Sequence, residues 1–146
     1  MKRIFTIIVL MLAWVVEGQS LTGLQITELF NGQYKRKDNA IEVVVKGNQL
    51  ERYKLKVFRS LTIKNDPKDF ERIEKLVEQD EKNSISKETG RIGERLYYAF
   101  YCFPPEENYY RYVFYRNSSL RKTESNELTL IYMEGNVTMD ELKVML

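Results

Sequence analysis

The stretch RLYYAFYCFPPEENYYRYVFYRN, residues 95–117, decides the fold. Its first part, Arg95 to Phe103, is aromatic and apolar without a helical period, and Tyr109 to Arg116 repeats that character. Between them lies Pro104-Pro105-Glu106-Glu107-Asn108, a cluster of turn residues. Two such runs around a turn predict an antiparallel hairpin. Glu127 to Glu134 (ELTLIYME) follows a polar connection over 117–126 and ends at Gly135-Asn136, so a third strand completes a meander.

Outward from the meander, Thr138 and Glu141 stand at capping-box spacing ahead of Leu142, Met145 and Leu146, which predicts a closing helix. Upstream, Asp66-Pro67 starts the clearest helix. Asp66 can accept from free N–H groups, and proline at the first helical position loses no bond. Phe70, Ile73, Leu76 and Val77 form its apolar stripe, and the helix runs to about Lys82. Asn83 to Gly93 is polar and reads as a loop or the frayed start of the next strand. Lys54 to Lys64 alternates, with Leu55, Val57, Leu61 and Ile63 on one side. Arg59 is the one charge on that side; buried there, it calls for a carboxylate partner, which Arg59→Met would leave unpaired. Ile41 to Lys46 is a β-branched strand ended by Gly47-Asn48, and residues 25–30 read as a short helix. The fold class expected is α+β: an antiparallel sheet with a C-terminal three-stranded meander and helices packed mainly on one face.

The chain opens on Met1-Lys2-Arg3, followed by an uncharged apolar run, Ile4 to Val16, and then Glu17-Gly18-Gln19-Ser20. Cationic start, apolar core and small residues are the parts of a secretory signal. The run is too short for a spanning helix, which needs about 20 apolar residues. Residues 1–18 are therefore expected to be cleaved, leaving 19–146 as a single domain without a stable membrane anchor. Removing Lys2, Arg3 and Glu17 from the 23 basic and 21 acidic residues leaves a net charge of +1. That balance supplies no field to select nucleic acid. Cys102 is the only cysteine, so no internal disulfide can form, and ten Tyr and seven Phe must supply much of the core.

Histidine is absent, which removes the commonest general base and metal ligand. No calcium-loop spacing or Gly-rich phosphate loop occurs, and no metal or cofactor is expected. Glu88, Glu94 and Glu134 are the candidates for a carboxylate-pair hydrolase or lyase acting on glycans, the alternative reading. Alternation places Leu96, Tyr98, Phe100 and Cys102 on one face of the first meander strand, continued by Tyr112, Phe114, Leu128 and Leu130; this face is expected to be core under the Phe70 helix. The other face would carry Tyr97, Tyr101, Arg111 and Tyr115, residue types enriched in interfaces. Either the short N-terminal or the C-terminal helix covers this face, with tyrosine hydroxyls reaching water at its rim, or these four are the binding residues, for an envelope protein or a glycan, or for a second copy in an obligate dimer.

The segments ELFNGQY, EVVVKG, VFRSLTI, LYYAFYCFPP, RYVFYRN and LTLIYMEG, in this order behind a signal peptide, resemble a family of small exported proteins of unknown function from Bacteroides and related gut bacteria. The resemblance implies a periplasmic or secreted protein of the bacterial envelope and carries no catalytic residues. The leading expectation is a non-enzymatic binding or interaction module.

Overall fold

The computed structural model describes residues 23–145; the secretory signal expected over residues 1–18 and the cut before Gln19 lie outside them. The strands are β1 (Ala40–Lys46), β2 (Leu55–Lys64), β3 (Ser86–Ile92), β4 (Arg95–Glu106), β5 (Tyr109–Asn117) and β6 (Glu127–Gly135). Among the described residues, two α-helices, α1 (Pro67–Asp80) and α2 (Met139–Met145), and short 3-10 turns, including Gln25–Phe30 and Asn48–Tyr53, accompany the strands. The fold is α+β, as the sequence indicates. The six strands form one antiparallel sheet in the order β1-β2-β6-β5-β4-β3. A β1–β2 hairpin is followed by α1, which carries the chain to the far edge. The β3–β6 meander then returns until β6 pairs with β2.

Local chemistry sets these elements. The Asp66 side chain accepts the Asp69 N–H at 3.2 Å, and Pro67 occupies the first turn of α1. Thr138 and Glu141 form the reciprocal capping box before α2, with bonds of 3.2 and 2.9 Å. Strand β4 continues through Pro104 and Pro105 to Glu106, and the hairpin closes on Glu107-Asn108 alone. Both have positive φ (52° and 75°), the twist that a two-residue hairpin turn requires. Residues 86–92, expected as a loop or the frayed start of a strand, are the full edge strand β3. Edge strands are often polar, so alternation of apolar residues gives no signal there.

Phe70, Ile73 and Val77 of α1 share one buried cluster with Leu61, Ile63, Leu96, Ala99, Tyr101, Phe103, Val113, Tyr115, Leu130 and Tyr132. Leu142 of α2 belongs to a second cluster with Leu50, Phe100, Cys102, Tyr112 and Met133. The face expected to bind partners is therefore the core beside α1. Tyr101 and Tyr115 are both fully buried. Two register features explain the reversal. A bulge shifts the β3–β4 pairing from Gly90–Tyr98 to Arg91–Leu96, which turns Leu96 to the face of Ala99 and Tyr101. And β6 pairs with β5 so that Leu130 lies opposite Tyr115 and Leu128 opposite Asn117, not beside Tyr112 and Phe114.

Three carboxylates of α1 are buried, and each has donors. Asp80 accepts the backbone N–H groups of Gln25 (2.5 Å) and Ile26 (3.1 Å), fastening the N-terminal 3-10 turn to the helix end. Burial pushes the Asp80 carboxyl up, and the two N–H donors act against that. Glu74 accepts from Arg95 and the Leu96 N–H. Asp69 accepts the Tyr34 hydroxyl at 2.7 Å and the Arg72 guanidinium. Among the described residues Arg59 meets no carboxylate: its guanidinium lies 5.9 Å from the Phe30 ring centre. Arg59→Met thus strands no buried acid. Asp80→Ala, in contrast, leaves two N–H groups without their acceptor and is expected to lower unfolding free energy by about 2–4 kcal/mol in urea titrations.

Candidate functional site

Each expected site residue has a definite place. Tyr101, Arg111 and Tyr115 do share a face, as alternation requires, but it is the face beside α1. The Tyr101 hydroxyl is aimed at Glu81 of the adjoining turn, 3.4 Å away. Arg111 is nearly buried, with an ion pair to Glu106 at 3.3 Å. Tyr97 sits apart at the bulge. Its hydroxyl donates to Glu124 and accepts from Arg116, and the Arg116 and Arg121 guanidinium groups lie against its ring. These contacts tie the β5–β6 connection to the start of β4. The four residues therefore do not make an open platform.

The three candidate acids do not converge either. Glu88 lies on β3 and pairs with Lys143 of α2. Glu94 is in the exposed β3–β4 turn. Glu134 is buried on β6, where it accepts the Tyr132 hydroxyl at 2.8 Å. By register Glu88 pairs with Phe100, a residue of the α2 cluster, whereas Glu134 pairs with Val57 of the α1 cluster. Cys102 is buried among aromatics, and desolvation raises its thiol, as expected of a small core side chain.

A different place gathers polar groups around a fixed floor. The dipeptides Gly47-Asn48 and Gly135-Asn136, distant in sequence, meet at one end of the sheet. With Glu51, Lys54, Leu55, Lys56 and Tyr109 they line an open groove of 640 Å³. Its floor is a close backbone approach. A Cβ on Gly135 would lie 2.3 Å from the Lys54 carbonyl oxygen and 2.7 Å from the Leu55 Cα, so only glycine fits. That carbonyl accepts the N–H groups of Asn136 (2.9 Å) and Val137 (3.2 Å). Lys54 itself has φ 60°, a left-handed conformation that costs a non-glycine residue energy. The strain is held by its N–H bond to Glu51 and by the two bonds to its carbonyl.

The walls combine charge, amide and ring. Lys54 Nζ is 2.7 Å from Glu141 Oε2, and Lys56 Nζ stands 4.3 Å from the Tyr109 ring centre. Glu51, Asn48 and Asn136 add acceptors and donors, and the exposed Tyr110 follows Tyr109 in the chain. Lysine on a ring face is a favourable contact that a ligand can replace. By alternation Lys54 and Lys56 fall on the side of β2 opposite Leu55 and Val57, and Gly135-Asn136 ends a strand. The twin Gly-Asn dipeptides were the available signal, but their meeting depends on the β2–β6 pairing.

Fold and groove define a class: a small α+β domain with one continuous antiparallel sheet and a polar groove at its end. The chain belongs to a family of unknown function (DUF6108), whose model matches residues 11–146. No curated protein and no solved structure matches it.

Two outcomes are expected of this geometry. Gly135→Ala drives a methyl group into the Lys54 backbone, and should lower the melting temperature and disorder the groove, read from amide chemical shifts of Asn48 and Asn136. The Glu141 carboxyl is lowered from 4.5 to about 2, chiefly by the Lys54 hydrogen bond and the Thr138 N–H. A depressed acid stabilises the fold above its unfolded value and loses that contribution as pH falls through the folded one. The cap of α2 and the anchoring of Lys54 should thus persist at pH 4.5 and fail near pH 2. A titration midpoint of the Glu141 side chain near 4.5 would contradict this.

Proposed function

We propose that this chain is a non-enzymatic binding module of the bacterial envelope, exported by residues 1–18, and that its groove takes a polar glycan. The observation that carries the reading is the groove's construction. Strained backbone at Lys54 and an obligatory glycine at Gly135 hold a fixed floor beneath lysine, carboxylate, amide and tyrosine side chains. Strain retained at a surface groove is characteristic of sites where geometry serves binding. Hydroxyl-rich polymers suit such a lining, because amides and charged groups bond their hydroxyls while an aromatic ring packs on a sugar face.

The compartment rests on the sequence: the cationic start, the apolar run to Val16 and the small residues behind it support export. The resemblance to exported Bacteroides proteins supports the periplasm or the cell surface of a Gram-negative anaerobe.

The test has two arms. Mass spectrometry of protein recovered from the periplasm of an expressing bacterium should find Gln19 at the N-terminus; intact Met1 would oppose export. The exported protein should then be screened against envelope and dietary glycans, beside Tyr109→Ala and Lys56→Ala variants of unchanged melting temperature. A glycan bound by the parent chain, and about tenfold or more weaker in both variants, is the expected result. Binding that ignores both substitutions, or no binding to any glycan, would oppose the reading.

A further inference from the structure

The two edges of the sheet differ in kind. The β3 edge carries Lys87, Glu88 and Arg91, and its pairing is broken by the bulge near Gly90. Charge and bulges are the devices by which proteins stop an edge from recruiting another strand. The β1 edge, AIEVVVK, has no bulge, since its pairing with β2 runs without a shift from Ala40 to Lys46, and it carries one charge of each sign, Glu42 and Lys46. Ile41, Val43 and Val44 are 58%, 39% and 47% exposed, and they belong to both faces of the sheet.

The pairing with β2 fixes which way each β1 backbone group points. The Lys64 N–H donates to the Asn39 carbonyl at 2.8 Å, which makes these two a hydrogen-bonded pair. Antiparallel alternation then directs the groups of Ile41, Val43 and Val45 at β2, and those of Glu42, Val44 and Lys46 outward. Only these outward residues can bond a new strand.

We propose that β1 is a homodimer interface, in which a second copy pairs antiparallel about a two-fold axis at Val44 and joins the two sheets into one. Charge selects both the partner and the register. Centred on Val44, Glu42 of each copy falls opposite Lys46 of the other, twice by symmetry. A register centred on Glu42 sets two carboxylates face to face, and one centred on Lys46 sets two ammonium groups together. Only the Val44 register makes both outward charges complementary. Glu42 has no ion pair within the described residues, and its Oε1 is buried without a hydrogen bond. On the opposite face, Val43 falls beside Val45 of the second copy at the closer, non-hydrogen-bonded spacing, where β-branched side chains pack well. The inference is independent of the glycan reading, since β1 residues 40–46 do not line the groove.

Sedimentation equilibrium of the exported protein tests this, with Glu42→Lys, Lys46→Glu, the double exchange and Val44→Lys as variants, each checked for an unchanged melting temperature. The parent chain should be a dimer. Each single reversal should weaken it by about tenfold or more, because like charges then meet twice, and the double exchange should restore it. Val44→Lys, which puts two ammonium groups on the axis, should give monomer. A parent chain monomeric at about 0.5 mM, far above the dissociation constant of a specific dimer, would overturn the proposal. So would a dimer indifferent to the single reversals, or one that the double exchange fails to restore.

Discussion

The hydrogen bonds from Gln25 and Ile26 to the Asp80 carboxylate hold together parts of the chain that nothing local would join. Asp80 ends α1, and the two N–H groups open the N-terminal turn that carries Ile26, Leu29 and Phe30 into the core. Those three side chains are buried, worth about 1.5–3 kcal/mol each against exposure, and they share one cluster with the apolar stripe of α1 and the sheet. A buried carboxylate is costly unless it is bonded, so Asp80 fixes the turn's position more sharply than apolar contact could. Glu74 acts likewise on the bulged start of β4, and Asp69 on Tyr34. The α1 face is thus a core whose polar atoms dictate its arrangement and whose apolar atoms supply most of its stability.

That arrangement explains why an aromatic face rich in tyrosine is core here and not an open platform. Tyrosine in an interface and tyrosine in a core look alike in sequence, because both require an apolar body and a bonded hydroxyl. Tyr34 and Tyr101 reach acids on or beside α1, and Tyr132 reaches Glu134 on its own strand. Burial raises the Tyr34, Tyr101 and Tyr115 hydroxyls well above the ordinary phenol range, so they stay protonated. The polar groove lies instead at the sheet's end, where backbone geometry rather than aromatic area shapes it.

Much of the fold was legible in the sequence. Asp66-Pro67 and the Phe70 stripe gave α1, the alternation from Lys54 gave β2, and Thr138 with Glu141 gave the cap of α2. Three meander strands followed from residues 95–134. What escaped depends on pairing rather than on composition. The polar β3 carries no alternation of apolar residues, and the bulge at Tyr97 reverses Leu96 while leaving the strand's composition unchanged. Without the β5–β6 register, Leu128 and Leu130 could join either face. Arg59 seemed to require an acid and found the Phe30 ring, a partner 29 residues away that alternation cannot reveal. The groove was the least legible part, since its floor joins Lys54 to Gly135 through the β2–β6 pairing alone.

Amide hydrogen exchange tests the role of the α1 carboxylates most directly. If they fasten the fold, the N–H groups of Gln25, Ile26 and Leu96 exchange only through global unfolding, with the same protection as Leu130 in the sheet centre. Fast exchange of Gln25 and Ile26, at a free energy well below that of Leu130, would mean that the N-terminal turn opens locally and that Asp80 does not hold the structure together.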